Sequence, residues 1–520
     1  MPLPRPVSSP CQWLRPRCLV HSCLRGRLLS SQAVQGSNLR IPRLDYRSIA
    51  ENVEFKSHNA FNRKAKLPVG AIRNVAQLYE EQNKLLRAIG DKRHLQSTIG
   101  ERVRASASQP ELKQSILQEA KSLKSELLDV ENRLKDVQSR LLSLALAIPN
   151  DTHPDVPIGP ECEAKVLSQH GPAPISATPS RDHVSICRAL DLLDLEAATI
   201  VTGNSWYYLK NEGALLELAL VNYALSLAIR HGFTPMTTPD VVRSDIAARC
   251  GFQPRDPDAD PPTSQMYHIA SNAATSDAPI HSHPELVLAG TAEIPLAGLF
   301  ADKIIPQSEL PKKVVGLGHA FRAEAGASGA DTRGLYRVHQ FTKLELFVVC
   351  DPQSSDDMME RMRRLQVEIF EGLGLPFRVL DMPTEELGAS AYRKYDMEAW
   401  MPGRGGWGEI SSTSNCTDYQ ARRLHIRYFG APPPSAVQSD GLPERPQHAN
   451  VIAHTLNGTA AAVPRLIVAL LENGARFDEN GNVAGVDLPI ALRPFQVSLH
   501  HYNISKTSCC AIFTACDRST

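Results

Sequence analysis

The run from Phe321 to Glu345, FRAEAGASGADTRGLYRVHQFTKLE, constrains the fold of this chain more than any other stretch. Two apolar-rich segments, VVGLGHAFRAE and YRVHQFTKLELFVV, flank a loop of Gly, Ala, Ser and Asp, a pattern that predicts an antiparallel hairpin with a long loop. Side chains alternate along a strand. Counting by twos puts Arg322 and Glu324 on one face of the first strand, and Arg337, His339, Phe341, Lys343 and Glu345 on one face of the second. Such a face is ill suited to a core. It suits a nucleotide, with guanidinium forks for phosphate oxygens, an aromatic plate for a purine and a carboxylate for an ammonium group. The competing reading is the wet face of a half-buried hairpin, with Phe341 as a single stray apolar residue.

A different material precedes this hairpin. Ile116, Ala120, Leu123, Leu127, Val130, Leu134, Val137, Leu141 and Leu144 recur at spacings of four and three, the seam of a coiled coil, and Val75, Leu78, Leu85, Ile89, Ile99 and Val103 repeat that spacing upstream. RASASQP turns the chain between them, and Pro110 suits the first turn of the second helix. The pattern predicts an antiparallel α-helical hairpin over residues 70–148, roughly 50 Å long. Between 63 and 148 stand 16 Lys/Arg against 10 Asp/Glu, a surplus of 6 on a narrow rod that would attract a phosphate backbone. A plain spacer or dimerisation rod is the alternative.

Whole-chain charge is balanced, 56 basic against 56 acidic side chains, so only the local surplus points to nucleic acid. At 520 residues and 42% hydrophobic, the chain can bury large cores in more than one domain. No run approaches about 18 consecutive apolar residues, so no membrane partner is expected. Eleven Cys without paired CxxC spacing fit a reducing compartment and argue against a structural zinc site. The first 44 residues hold Arg5, Arg15, Arg17, Arg25, Arg27, Arg40 and Arg43 but no Asp or Glu, the composition of a mitochondrial transit peptide, assigned to residues 1–31. Residues 32–69 read as a connecting segment and 149–164 as a Pro-rich linker. Residues 165–495 read as one globular α+β domain, and 496–520 as an atypical tail without order. Within the domain, GALLELALVNYALSLAIRHG predicts a helix closing on Gly232, and FTPMTTPDVV a strand with Pro239 near its end.

Three further constellations carry chemistry. LVLAGTAEIPL sets Thr291 and Glu293 at the end of an apolar run. WGEISSTSNCTDYQARR offers Glu409 and Ser412, hard oxygen ligands of the kind Mg2+ takes in ones and twos beside phosphates and water. HTLNGTAAAVPRLIVALLENG reads as a turn, then small residues, then a helix beginning near Pro464. Arg465 in its first turn adds a cation where free N–H groups already favour an anion.

The hairpin resembles the second signature motif of class II aminoacyl-tRNA synthetases, and its loop and RVHQFTKLE strand resemble the seryl-tRNA synthetases in particular. The resemblance implies a catalytic domain on a mixed, mainly antiparallel β-sheet flanked by helices, with an N-terminal coiled-coil arm that grips tRNA. It implies catalytic roles for Arg322 and Arg465, the latter on the γ-phosphate, and ATP contacts from Arg322, Glu324, Arg337, Val338, Phe341, Glu409, Ser412 and Arg465. Glu409 and Ser412 would hold Mg2+. Thr291, Glu293, Arg322, Glu345, Asn457 and Thr459 would contact L-serine, and Pro239 would lie at a homodimer interface. The implied activity is serine activation with ATP to seryl-adenylate, then transfer to the 3′ end of mitochondrial serine tRNA in the matrix, with selenocysteine tRNA as a further acceptor. A catalytically inactive, RNA-binding or scaffold paralogue is the alternative. Thr413, Tyr419 and Pro464 depart mildly from the family pattern, and the tail departs from it altogether.

Overall fold

The computed structural model describes residues 39–106, 109–252, 265–270, 284–324, 333–430, 449–495 and 511–514. The segment assigned to a transit peptide and the tip of the long hairpin, residues 325–332, lie outside the described residues.

Two short helices open the described chain, α1 (Tyr46–Glu51) and α2 (Val53–Asn62), where the sequence suggested only connection. Asp45 caps α1 by accepting from the Ser48 N–H. They lead into α3 (Ala71–Ala105) and α4 (Pro110–Leu146), of 35 and 37 residues, which pack against each other as an antiparallel hairpin. Val75, Leu78, Ile89, Ile99, Ile116, Leu123, Leu127, Val137 and Leu141 are buried along the seam. Ion pairs cross it, Arg133–Glu81 at 2.6 Å, Lys92–Glu126 at 2.6 Å and Arg102–Glu119 at 3.0 Å. At exposed sites each contributes no more than about 1 kcal/mol, so the apolar seam holds the arm and the charges set its register.

Beyond the arm stands an eight-stranded sheet. Its strands are β1 (Lys165–His170), β2 (Thr234–Thr237), β3 (Lys312–Phe321), β4 (Gln340–Cys350), β5 (Phe377–Asp381), β6 (Arg393–Met401), β7 (Gly406–Thr417) and β8 (His454–Ala462). The spatial order is β1-β5-β6-β7-β8-β4-β3-β2. Every pair is antiparallel except β2 with β3 at the edge. One sheet face is covered by α5 (His183–Ala189), α6 (Asn211–Arg230), α8 (Ser355–Gly372) and α10 (Val463–Gly474), which form the main core with Leu344, Leu346 and Val348 of β4. The opposite face packs Phe347 and Val349 against α7 (Glu293–Leu299) and α9 (Tyr419–Leu424). The strand alternation of β4 thus separates the two cores.

α6 is long and apolar enough to span a bilayer by length and composition, but half of it is buried against the sheet, which accounts for its apolarity. The segment HTLNGTAAA, read as a turn, is the central strand β8. Its small residues allow close packing of α8, since a Cβ at Gly458 would meet Thr413 Oγ1 at 2.9 Å and Met362 at 3.0 Å. The tail also needs revision. Ala511–Thr514 forms β11, antiparallel to β10 (Val483–Leu488), whose other edge pairs with β9 (Ala475–Phe477). A short run of strand-forming residues meets an open edge there.

Candidate active site

On β4, Phe341, Lys343 and Glu345 follow one another by twos and project away from the helix-covered face. The Arg322 guanidinium lies 5.3 Å over the Phe341 ring, and its Nε donates to the Gly290 carbonyl at 3.3 Å. Arg322 lies just past the end of β3, held to the neighbouring chain by its N–H, which donates to the His339 carbonyl at 2.8 Å. Glu324 departs from strand geometry at φ +44 and lies 3.6 Å from the Arg337 guanidinium. Val338 is buried beside them. A cavity of about 340 Å³ adjoins Phe341, lined also by Trp206, Tyr208, Glu217 and His319; it borders the aromatic plate and not the acidic groups below.

Those groups form a buried polar floor. Thr459 and Glu345 stand directly opposite each other across β8 and β4. Lys343 Nζ pairs with Glu345 at 2.7 Å and reaches Thr291 Oγ1 at 3.5 Å. Glu293 accepts from Gln420 at 2.6 Å and from Asn457 at 2.9 Å through one oxygen. Thr291, Glu293, Glu345, Asn457 and Thr459 are all less than a tenth exposed. Burial first, then the neighbouring Glu345, pushes the Glu293 carboxyl up to about 7, against the pull of Gln420, Lys343 and Arg322. Two carboxylates, one of them paired with Lys343, and hydroxyls on either hand are groups of the kind that suit a small cation bearing a hydroxyl.

A third cluster closes the other end. β7 carries a bulge that drops Ile410 from its pairing with β6, Ser411 facing Met397 and Glu409 facing Glu398. Ile410 and Ser411 both turn to the helix-covered side, the first in the core and the second bonded to Thr459 O. Glu409 and Ser412, three apart, therefore share the opposite face. Arg465 donates to Glu409 Oε2 at 2.9 Å and to the Tyr336 carbonyl at 3.3 Å, with its guanidinium 4.8 Å over the Tyr336 ring. Burial would raise the Glu409 carboxyl, but Arg465, Lys394 and Arg322 outweigh it and hold the group well below its ordinary value. A carboxylate kept ionised beside a hydroxyl on one strand face is a donor set of the kind Mg2+ takes.

Comparison with known proteins places this geometry. Residues 279–474 match the class II core domain of tRNA synthetases (G, H, P, S and T), and residues 44–152 match the seryl-tRNA synthetase N-terminal domain. The chain is 40% identical over 455 residues to a serine–tRNA ligase of Treponema denticola, covering 87% of this chain and 98% of that one. The chain belongs to the seryl-tRNA synthetases. Mitochondrial serine–tRNA ligases of Schizosaccharomyces pombe and Mus musculus are 39% and 36% identical, with 87% and 90% of this chain and 88% and 85% of theirs covered. The crystal structure of the Pyrococcus horikoshii seryl-tRNA synthetase complexed with ATP aligns at TM-score 0.74 and 31% identity, over 87% of this chain and 98% of that one. The protein is therefore a serine–tRNA ligase on an α+β class II fold.

For this seryl-tRNA synthetase the structure brings together all the residues singled out in its sequence except Pro239, which is exposed between β2 and the short strand Val241–Arg243. Arg322, Glu324, Arg337 and Phe341 line the upper wall, Glu409, Ser412 and Arg465 the far end, and the Thr and Glu residues the floor. Sequence reasoning missed Gln420, which fixes Glu293 while accepting from Thr455 Oγ1 at 2.8 Å. In DYQARR it looks like any helix-surface glutamine. It also left Tyr336 without a role, although its place beside Arg337 in the hairpin was a usable signal.

Proposed function

We propose that the polar floor binds L-serine and the arginine wall binds ATP. The observation that carries this reading is the opposed pair Thr459–Glu345 beside buried Glu293. Its carboxylates suit the serine ammonium group and its hydroxyl suits the serine hydroxyl. Alanine or glycine would leave those buried groups unpaired, which costs about 1–3 kcal/mol per group. The carboxylate of serine then lies towards Arg322, where a carboxylate oxygen attacks the α-phosphorus of ATP. A P–O bond forms to give seryl-adenylate, and the bond to the β-phosphate breaks with release of pyrophosphate. In the second step the terminal ribose hydroxyl of tRNA attacks the seryl carbonyl and AMP leaves. No protein nucleophile is needed. Arg322, Arg337 and Arg465 act by position and charge. Glu409 and Ser412 would hold Mg2+, which when bound neutralises charge on the phosphates.

The basic arm is proposed to grip serine tRNA, with selenocysteine tRNA as a second acceptor. The acid-free N-terminus and the mitochondrial relatives support the mitochondrial matrix as the site of action, although bacterial relatives are equally similar. N-terminal sequencing of the imported chain tests this; retention of Met1 in the cytosol would overturn it. A homodimer with Pro239, exposed between two strands at the sheet edge, at its interface is proposed as well.

ATP–pyrophosphate exchange with each of the twenty amino acids tests the enzyme reading. Exchange should require serine, and Arg322→Ala or Arg465→Ala should lower it by about 10²- to 10³-fold. Serine-independent exchange, or full activity in both variants, would refute the assignment.

A further inference from the structure

Behind the site lies a buried pair that the proposed chemistry does not use. Glu472 sits on α10 two turns beyond Arg465, on the same helix face, with its side chain 1% exposed. Both its oxygens are taken. Oε1 accepts from the His183 N–H at 3.3 Å and from His183 Nδ1 at 3.0 Å; Oε2 accepts from the Gly403 N–H at 2.8 Å and the Arg404 N–H at 3.2 Å. His183 is also buried, and its Nε2 accepts from the Leu335 N–H at 3.2 Å. These partners fix the ring as the neutral Nδ1–H tautomer. Asp182, His183 and Glu472 have ligand atoms within 4.8 Å of one another. N–H donors already occupy those of Glu472, and Asp182 Oδ2 accepts from the Ser185 N–H and from Arg333. The cluster is a clamp in which buried side chains hold one another and several backbone N–H groups.

The clamp joins three separate segments: α5, the turn between β6 and β7, and the residues leading out of the long hairpin loop. Gly334 passes so close that a Cβ there would lie 2.2 Å from His183 Nε2, and its φ of +67 lies in the left-handed region that favours glycine. Leu335 is followed by Tyr336, whose carbonyl accepts from Arg465 and whose ring lies under both Arg465, at 4.8 Å, and Arg404, at 4.0 Å. The aim of Arg465 thus depends on Tyr336, and the position of Tyr336 depends on His183 and Glu472.

The geometry points to Glu472 and His183 as positioning residues for the triphosphate end of the ATP site, acting through Leu335, Tyr336 and Arg404 without touching substrate. This rests on the proposed role of Arg465. A carboxylate is required because its two oxygens serve donors on two sides. The amide of Glu472→Gln has one acceptor oxygen and must present N–H groups either to the His183 N–H or to the Gly403–Arg404 turn. His183→Asn keeps a donor towards Glu472 and removes the acceptor for Leu335 together with the outer edge of the ring.

In pyrophosphate exchange with the full-length enzyme, Glu472→Gln should raise KM for ATP about tenfold and leave KM for serine within twofold, since small misplacement of a positioned group is costly. His183→Asn should shift KM for ATP in the same direction. A residue that only packs the core would lower thermal stability and leave both KM values of the folded enzyme at wild type; that result, or equal shifts in both, overturns the inference. Should Glu472→Gln fail to fold by circular dichroism, His183→Asn decides alone. Arg465→Ala separates the two levels. Full exchange in that variant removes the ATP reading and the clamp with it. Loss of exchange there, with wild-type KM for ATP in the folded clamp variants, removes the clamp only.

Discussion

Glu293 shows how a single side chain trades stability against binding. Its carboxyl titrates near 7 in the fold against an ordinary 4.5, because burial and Glu345 oppose its charge. A raised folded value means that protonation favours the folded state. That contribution is complete below about 4.5 and lost as pH rises through 7. The charged form is nonetheless the one suited to an ammonium group. KM for serine should accordingly rise as pH falls below 7. Glu293→Gln should raise KM for serine by about ten- to a hundredfold, the worth of one charged hydrogen bond. The same variant should melt higher than wild type at pH 8, a gap that closes as pH falls to about 4.5. Differential scanning calorimetry and exchange kinetics across that range check both, and a pH-independent KM in the wild type would contradict the assignment. At this scale Phe341, Lys343 and Glu345 were legible, because alternation along a strand is local. Gln420 and Glu472 were not, because their partners lie 127 and 289 residues away.

At the scale of elements, the arm divides into two apolar clusters, a root of Val75, Leu78, Val137 and Leu141 and a tip of Ile99, Ile116 and Leu123. The root also holds Ile49 and Ala60 of α1 and α2, so it has a core of its own. Replacing residues 90–127 by a short Gly-Ser turn should spare serine-dependent exchange and reduce tRNA charging by at least tenfold, since each lost phosphate contact weakens binding. Equal loss of both activities would count against this division of labour. The helices themselves were readable from heptad spacing, as was Pro110 in a first turn. The bulge in β7 was not. A regular strand sends residues three apart to opposite faces, so nothing in the spacing of Glu409 and Ser412 announces that they share one.

Across the whole molecule, the linker after the arm is a bonded joint. Buried Arg63 donates to the carbonyls of Asn150, Asp151, Ala391 and Gly388, and Asn150 in turn donates to the carbonyls of Ser390 and Cys416. Cys416 Sγ accepts from Asn457, a residue of the polar floor, so the arm root and the proposed serine site share one hydrogen-bonded framework. At the other end of the sheet, Leu218 and Ile229 of α6 are exposed at 53% and 47%, beside the edge strand β2. In the proposed homodimer that face is covered. Leu218→Asp with Ile229→Asp should convert a dimer to a monomer in sedimentation velocity; a monomeric wild type at micromolar concentration would refute the interface.

The sequence by itself determined what local physics dictates: helical periodicity along the arm, the two-residue alternation of the hairpin, the arginine in a helix's first turn, and the residue types suited to phosphate, purine and ammonium. Only the tertiary structure decided which of these groups meet. The opposition of Thr459 and Glu345, the shared face of Glu409 and Ser412, and the raised carboxyl of Glu293 depend on strand register, a bulge and burial. Those are settled by packing on both faces of the sheet, between residues too far apart in the chain for any local pattern to record.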